Sequence, residues 1–543
     1  MSNTLKYTPV EEIPSIIDKG KKFYRARQLA LSHEKNPRKA DLQFRVRQLQ
    51  KLYYSVKDHQ DAIIDAMMKD FHRSPQETFA LELIPLINDI LLMIKLLPKW
   101  IKPTKINDWA VPFICSNVQV EKIARGLTLV VSPFNFPLLL AMTPVANAIA
   151  GGNSVILKPS ELTPHVAQLI ETIVKDAELP DGLISFVQGA IPETTKLLEN
   201  GDIDMIFYTG SPKVGSIVAS AAGKNLIPCV LELGGKSPVF VTENFKMSNL
   251  KVALRRLFFG GFSNSGQLCV RPDYILVHES HYDQFTQQAK TILNEFFPQL
   301  DKNTEFTHMI SKAAYERTMN KIGDTKGHPH FPQAFINEQS KDSDNEENLF
   351  IPPTLICDVD WDDSIMQEEN FAPVLPILKY GDLDEVIDKV LKYHDTPLVQ
   401  YIFSSSQADI NHILSRVRSG DCVINETIIH VGIQEAPFGG IGFSGYGNYG
   451  GKHGFDAFTH ERTIFKQPFW MDFTLAMRYP PYSAKKTKLV SFATENKPKF
   501  TRSGRRKVNF VRGFFHLMGT VTLLSAYYYY THFIATGDIT PGP

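Results

Sequence analysis

Two separate segments of this 543-residue chain carry a thiol and a carboxylate that could act together. Cys269 ends the run NSGQLC at 264–269, and Glu232 lies in the run LELGGKSP at 231–238. A thiolate can attack a carbonyl carbon, and a carboxylate can activate the water that hydrolyses the product. A lone cysteine is more often a small buried hydrophobe, so the rest of the chain must decide whether Cys269 is a nucleophile.

The composition is that of a large globular protein and limits the kind of partner. Hydrophobic residues make up 43% and charged residues 21% of the chain, and the length indicates about three domains. A formal net charge of zero predicts that nucleic acid is not a partner. The five cysteines show no CxxC pair: Cys115, Cys229, Cys269, Cys357 and Cys422. This dispersion predicts a reducing compartment, with neither a disulfide framework nor a metal site.

The elements that must position these groups alternate between short β-rich runs and helical stretches. Apolar periodicity predicts a helix over Asp41–His72, and the polar stretch His328–Asn348 is interpreted as a solvated loop or insertion. The predicted strands are Leu127–Val131, Ser154–Leu157, Ile184–Val187, Met205–Tyr208 and Val239–Val241. Such alternation indicates an α/β fold with a parallel sheet, which binds ligands beyond the carboxyl ends of its strands.

The two ends of the chain differ. The first residues show neither a signal-peptide nor a transit-peptide pattern. From Gly513 to Gly537 there is no Lys, Arg, Asp or Glu, and a basic stretch precedes this segment. About 20 apolar residues span a bilayer, which predicts a membrane anchor at 513–535 behind a basic linker at 476–512, with the body in the cytosol. The alternative is a buried or interfacial helix.

Seven motifs occurring together resemble the aldehyde dehydrogenase family. Within it, the chain is similar to the class 3 or fatty aldehyde dehydrogenase group, in particular to the fungal membrane-bound hexadecenal dehydrogenases. The matching stretches cover roughly 40–475: SPFNFP at 132–137, LKPSE at 157–161, YTGS at 208–211, the runs at 231–238 and 264–269, EENFAP at 368–373 and PFGGIGFSG at 437–445.

The resemblance implies roles for three catalytic residues. Cys269 would be the nucleophile, and Glu232 would be the general base for water. The side-chain amide of Asn135 and the backbone N–H of Cys269 would bind the oxyanion. The alternative for Asn135 is a turn residue, and for Glu232 a structural carboxylate paired with Lys236.

The resemblance also implies a dinucleotide site. Lys158 and Glu161 would hold the adenosine ribose, and an acidic group there favours NAD over NADP, although NADP remains possible. Gly210, Ser211 and Gly215 would open a helix near the pyrophosphate. Glu369 and Phe371 would position the nicotinamide ribose and ring. Asn370 and Ala372 depart from the apolar residue and the Gly that the family pattern has there, which could alter cofactor mobility.

The implied organisation is an aldehyde dehydrogenase-like α/β fold. It has a Rossmann-type NAD-binding domain at 1–242 with bridging strands near 107–122, and an α/β catalytic domain at 243–427. A bridging segment at 428–475 would form a homodimer. The linker at 476–512 and the transmembrane helix at 513–535 complete the chain, and membrane lipids would surround that helix.

The predicted function is oxidation of long-chain fatty aldehydes, such as hexadecenal and hexadecanal, to fatty acids. Aromatic aldehydes such as 4-hydroxybenzaldehyde are the first alternative. A membrane-tethered scaffold without activity is a second, but it is disfavoured because Cys269, Glu232 and Asn135 are all present. Formation of acyl-CoA is a third, and a base for water argues against it. The mitochondrial outer membrane, endoplasmic reticulum and lipid droplets are all candidate locations.

Overall fold

The computed structural model describes residues 5–107, 113, 116–300, 304–339, 348–472, 476–495 and 498–506, with isolated positions at 521, 524, 525 and 528. Its helices are α1 Ile13–Ser32, α2 Pro37–Asp58, α3 Gln60–Phe71, α4 Pro75–Thr78, α5 Ile84–Trp100, α6 Leu139–Gly151, α7 Pro164–Asp176, α8 Ile191–Leu198, α9 Pro212–Lys224, α10 Leu250–Phe262, α11 Glu279–Phe296, α12 Lys312–Asp324, α13 Gln333–Gln339, α14 Leu383–Tyr393, α15 Gln407–Arg416, α16 Gly451–Ala457 and α17 Ala484–Thr494. Its strands are β1 Thr104–Ile106, β2 Asn117–Ala124, β3 Leu127–Val131, β4 Ser154–Lys158, β5 Ile184–Phe186, β6 Met205–Gly210, β7 Cys229–Leu233, β8 Pro238–Val241, β9 Tyr274–His278, β10 His328–His330, β11 Thr354–Cys357, β12 Val374–Tyr380, β13 Val399–Phe403, β14 Asp421–Ile424, β15 Gly445–Tyr446 and β16 Thr459–Lys466.

The first large sheet has six strands in the order β15-β7-β6-β3-β4-β5. The strands from β7 to β5 pair in parallel, and β15 pairs with β7 in the antiparallel sense. Every residue of β3 and β4 is buried, as expected of parallel strands covered by helices on both faces. This confirms the predicted α/β class.

Alternate residues of these strands belong to two different cores. Leu129 and Val131 pack into one cluster with α1, whereas Val130 between them packs into another with α2, α5 and α6. This is the two-residue periodicity of a strand buried on both faces. Glu232 has the parity of Val230, which lies in the cluster with α6, and therefore points to the α6 side of the sheet.

The second large sheet has seven strands in the order β10-β11-β12-β9-β8-β13-β14. All of its pairs are parallel except β10 with β11. β8 precedes the predicted domain boundary at 242, but it pairs in this second sheet with β9 and β13. The predicted bridging segment 428–475 supplies β15 to the first sheet.

Two local expectations differ in part from the structure. The interpretation of 328–348 as a loop misses β10 and α13, because β10 is an edge strand that needs only one partner and no buried apolar run. The predicted helix over Asp41–His72 is divided at His59 into α2 and α3, and the second part ends at His72 in a left-handed conformation (φ 55°).

The chain divides into two compact units, one comprising 1–104 and 120–462 and the other 105–119 and 463–543. β1, β2 and β16 form a three-stranded sheet. The predicted anchor at 513–535 falls almost entirely outside the described residues. Among those that are described, no helix has the length and apolar character needed to cross a membrane.

Candidate active site

The carboxyl ends of β7, β6, β3 and β4 bring most of the predicted residues to one edge of the first sheet. In register, Thr209 of β6 pairs with Glu232 of β7, and Val131 of β3 pairs with Lys158 of β4. Asn135 follows the end of β3 after three residues, and Gly210 ends β6. Since ligands bind beyond the carboxyl ends of parallel strands, this edge is the candidate site.

A tight turn presents the predicted nucleophile. Asn264, Ser265 and Gly266 all have left-handed backbones, with φ of 50°, 53° and 66°. Gln267 fixes the chain after the turn, since its Nε2 donates to the carbonyl of His308 at 3.0 Å. Burial raises the pKa of the Cys269 thiol to about 12, and the carboxylates of Glu369 and Glu232 add to this effect. The structure therefore brings the predicted nucleophile and the predicted base into one electrostatic neighbourhood.

Glu232 is a buried carboxyl without a hydrogen-bond partner in the protein. The residue is 3% exposed, and neither carboxyl oxygen has a hydrogen-bond partner in the protein. Burial raises its pKa well above the ordinary value, and the nearby carboxylate of Asp421 raises it further. Lys236 is not its partner, because the Lys236 Nζ lies 2.7 Å from Asp273 Oδ1. The alternative of a structural Glu232–Lys236 pair is wrong, and a carboxyl free to accept a proton from water remains.

Asn135 is also buried, and its backbone is held by other side chains. Its carbonyl accepts hydrogen bonds from Arg73 Nη2 and from Asn264 Nδ2, the latter at 3.1 Å. Asn264 belongs to the turn that precedes Cys269. The predicted oxyanion donor and the predicted nucleophile are thus linked through one intervening side chain.

The residues predicted to hold the adenosine end of the cofactor lie around β4 and β6. Lys158 Nζ is 2.8 Å from Glu161 Oε2. Ser211 caps α9, since its Oγ accepts a hydrogen bond from the backbone N–H of Val214 at 3.4 Å. A Cβ on Gly215 would lie 2.6 Å from Leu233, so this glycine lets α9 pack closely on β7.

Orphaned polar atoms at this edge fit a dinucleotide. The buried hydroxyls of Ser132 and Thr209 have no hydrogen-bond partner in the protein, and each stands at the carboxyl end of a neighbouring strand. Unsatisfied buried hydroxyls are uncommon in proteins and are satisfied when a polar ligand binds. With the Lys158–Glu161 pair beside them, they provide donors and acceptors suited to ribose and phosphate.

Glu369 and Phe371 lie close to Gly234 and Phe134, which follow β7 and β3. Burial raises the pKa of Glu369 to about 8, and its Oε1 is buried without a partner. A Cβ on Gly234 would lie 2.3 Å from Glu369 Oε2, so only a glycine at 234 allows the Glu369 carboxyl to approach this backbone closely. The Phe371 ring packs edge-on against Phe134, with 5.8 Å between centroids.

The departure at Asn370 has a structural explanation. Its side-chain Nδ2 donates to Asp273 Oδ1 at 2.6 Å, and its backbone N–H donates to Oδ2 at 3.0 Å. Asp273 also accepts a hydrogen bond from the buried Lys236. A charged hydrogen-bond network therefore fixes the segment that carries Glu369 and Phe371.

Several residues of this region have no local sequence signal. Tyr449 is one, and the pKa of its phenol is raised by burial and then by Glu232 and Cys269 nearby. Its ring packs on Phe438 with 5.6 Å between centroids, which places the motif at 437–445 beside the site. Arg73 and Asp421 are others, since only the folded chain brings them here. Within the described part of the chain, no cluster of three His, Cys, Asp or Glu side chains is arranged to hold a metal ion.

Comparisons with known proteins agree with this geometry. A sequence profile described as the aldehyde dehydrogenase family matches residues 10–464. The chain is 57% identical over 527 residues to the fatty aldehyde dehydrogenase HFD1 of Saccharomyces cerevisiae, covering 97% of this chain and 98% of that one. It is 34% identical to the dimeric NADP-preferring aldehyde dehydrogenase of Canis lupus familiaris, covering 82% and 95%. A substrate-bound structure of Staphylococcus aureus AldH superposes with a TM-score of 0.80 at 34% identity, covering 88% and 99%.

Proposed function

This chain belongs to the aldehyde dehydrogenase family, and on that premise we propose that it oxidises long-chain fatty aldehydes to fatty acids with NAD⁺ and water. Family membership makes it an NAD(P)-dependent enzyme. The observation that carries the chemistry is the electrostatic influence of the unpartnered Glu232 carboxyl on the Cys269 thiol, whose pKa it raises. The similarity to a fatty aldehyde dehydrogenase over nearly the whole chain supports the substrate class.

The first half of the reaction depends on Cys269 and Asn135. The thiolate forms an S–C bond to the aldehyde carbon, and the carbonyl π electrons move to oxygen. The resulting oxyanion accepts hydrogen bonds from the Asn135 side-chain amide and the Cys269 backbone N–H. When NAD⁺ is bound, it supplies an acceptor for the hydride that leaves this carbon. A thioester on Cys269 remains.

The second half depends on Glu232. Its carboxylate takes a proton from water while the water oxygen bonds to the thioester carbon. The C–S bond then breaks, its electron pair returns to Sγ, and the carboxylic acid leaves. Because Glu232 has no partner in the protein, it is free to approach water here. This favours hydrolysis over transfer of the acyl group to coenzyme A.

NADH formation tests the proposal directly. We expect detergent-solubilised protein to reduce NAD⁺ with hexadecanal and hexadecenal, and Cys269→Ser to abolish this. Cys229→Ser is the matched control, since Cys229 is an unpaired cysteine at the opposite end of β7 from the candidate site. Turnover of 4-hydroxybenzaldehyde alone would reject the long-chain substrate, and full activity of Cys269→Ser would reject the mechanism.

We also propose that 513–535 anchors the enzyme in a membrane with its body in the cytosol. The uncharged apolar segment and the basic residues before it support this placement. Such an anchor would hold the enzyme where long-chain aldehydes partition. Removing 513–543 should shift the protein from the membrane fraction to the supernatant. Imaging of the full chain should show the mitochondrial outer membrane, endoplasmic reticulum or lipid droplets, and a diffuse signal would contradict the anchor.

A homodimer is proposed as the working assembly, formed through the segments near 107–122 and 428–475. A relative of 34% identity is described as dimeric, which supports this assignment. Sedimentation of the detergent-solubilised protein should give twice the chain mass of 61.3 kDa, after allowance for bound detergent. A single-chain mass would contradict it.

A further inference from the structure

Arg73 is a fully buried cation in the segment between α3 and α4. It is 0% exposed, and its guanidinium contacts three different parts of the chain. Nη1 pairs with Glu82, Nη2 donates to the carbonyl of Asn135, and Nε donates to Asn264 Oδ1 at 3.0 Å. None of these atoms belongs to the reacting groups. Asn135 and Asn264 stand on the segments that carry those groups, and Glu82 contacts the start of α6.

Glu82 extends the same network to the start of α6. Its Oε2 accepts hydrogen bonds from the backbone N–H groups of Leu138 and Leu139, at 3.0 and 2.8 Å. The first N–H groups of a helix lack partners within the helix, and a carboxylate is favoured there. Since Asn135 lies three residues before Leu138, Arg73 and Glu82 together hold the backbone from the Asn135 carbonyl to the start of α6.

Asn264 carries the network to the turn before Cys269. Its Nδ2 donates to the carbonyl of Asn135 at 3.1 Å and to that of Gln267 at 3.1 Å. Asn264 and Ser265 both have positive φ, which is unfavourable for residues with a side chain and persists only where the surroundings hold it. Arg73 therefore fixes the side chain that fixes this turn.

We propose that Arg73 is a positioning residue for the oxyanion pocket. The two predicted oxyanion donors lie on separate segments, one after β3 and the other after the 263–266 turn. Arg73, through Asn264 and Glu82, holds these segments in one fixed relation, so that the Asn135 amide and the Cys269 N–H converge on the same oxygen. The inference rests on the proposed aldehyde oxidation and names an additional residue on which that reaction depends.

A purely structural role of Arg73 predicts that its loss lowers stability, whereas a positioning role predicts a loss of kcat in a stable fold. Buried ion pairs often contribute little net stability, because desolvation offsets their attraction. Replacing both partners with uncharged side chains of similar size then leaves the fold stable while the hydrogen bonds to Asn135 and Asn264 are lost. The double variant Arg73→Met, Glu82→Gln meets this condition without leaving an unpaired buried charge.

Arg45 provides the matched control. It is 7% exposed, pairs with Asp41, and donates to the carbonyl of Ala150 at 2.9 Å. In Arg45→Met, Asp41 keeps Arg27 as a partner. Both variants remove a buried arginine, but only the first touches Asn135 and the turn before Cys269.

The experiment compares the full-length wild type, the double variant, Arg73→Lys and Arg45→Met. We expect kcat for hexadecanal to fall about 100-fold in the double variant, as when an oxyanion donor is lost. NADH binding, the thermal midpoint and the rate of Cys269 alkylation by iodoacetamide should remain close to those of Arg45→Met, because alkylation at a saturated carbon forms no oxyanion. Arg73→Lys should recover part of kcat, since it keeps the charge but not the planar fork.

The outcomes separate the two proposals. If the wild type reduces no NAD⁺ with any aldehyde, the proposed function fails before Arg73 is tested. If the wild type is active and the double variant loses no more kcat than Arg45→Met, the positioning role is overturned. It is also overturned if kcat, alkylation and NADH binding fall together, because that pattern indicates a general collapse of the site.

Discussion

Lys158 and Glu161 form an ion pair at the carboxyl end of β4, with 2.8 Å between Nζ and Oε2. The lysine also donates to the carbonyl of Pro159 at 3.1 Å and is buried. The carboxylate is more accessible, with 28% of its side chain exposed. The Glu161 carboxylate can therefore accept hydrogen bonds from ribose hydroxyls. Because Lys158 already pairs with Glu161, it is not available to bind a 2′-phosphate.

Glu161→Gln should shift cofactor preference toward NADP⁺. Removing the charge eliminates repulsion of a 2′-phosphate and frees Lys158, and one charged contact corresponds to about 1.5–3 kcal/mol. We expect the ratio of kcat/KM for NADP⁺ to that for NAD⁺ to rise at least roughly tenfold. Glu199→Gln, an exposed acid after α8, is the control. An unchanged ratio would show that Glu161 does not face the ribose.

Glu232→Gln should separate the two halves of the reaction. The amide cannot take a proton from water, but it leaves Cys269 and the oxyanion donors intact. We expect a rapid burst of about one NADH per active site followed by steady turnover at least roughly 100-fold slower than wild type. Stopped-flow absorbance at 340 nm measures both phases. Loss of the burst as well would place Glu232 in the first half instead.

The reactivity of Cys269 should depend on Glu369. Burial and then the carboxylate of Glu369 raise the thiol pKa, so removing that carboxylate lowers it. Because the thiolate is the species that alkylates, Glu369→Gln should react faster with iodoacetamide at a fixed pH, by about tenfold for one pKa unit. Burial raises the pKa of Glu369 itself to about 8, so the difference should grow as pH rises through this value.

Glu368→Gln is the control for this experiment. Glu368 adjoins Glu369 in sequence, but its carboxylate pairs with Lys321 at 2.8 Å. Its loss should leave the pH profile of alkylation unchanged. Equal profiles for wild type and Glu369→Gln would mean that Glu369 does not affect the thiol.

The sequence predicts those elements whose burial produces a recognisable run or periodicity of apolar residues. β3 has the bounds predicted for it, because a strand buried on both faces appears as a continuous apolar run between turn residues. β10 escapes prediction, because an edge strand of three residues with two histidines has no such run. The break at His59 escapes it because the apolar stripe continues from α2 into α3 with little change.

The site follows the same division. Cys269, Glu232 and Asn135 stand in motifs, so their residue types and neighbours are enough to indicate them. Arg73 and Tyr449 are indicated only by tertiary packing. Arg73 precedes Asn264 by 191 positions, yet their side chains share hydrogen bonds of 2.6 and 3.0 Å. Local periodicity and motif spacing cannot predict a contact between residues so far apart in the sequence.

Gly266→Ala should disable the enzyme and lower its stability. A Cβ there would lie 2.2 Å from the carbonyl oxygen of Ala372, and the residue has a φ of 66°. Backbone cannot move aside as a flexible side chain can, so either the turn before Cys269 or the segment after Phe371 must shift. We expect a loss of about 1–3 kcal/mol of stability and a large fall in kcat.

Gly223→Ala in α9 is the matched control for Gly266→Ala, since nothing lies within 4 Å of its Cβ. Alanine is favoured over glycine in helices by about 1 kcal/mol, so this variant should melt slightly higher and keep full activity. Thermal melting and NADH formation from hexadecanal measure both effects. Wild-type activity in Gly266→Ala would show that the two segments need not lie as close as they do here for catalysis.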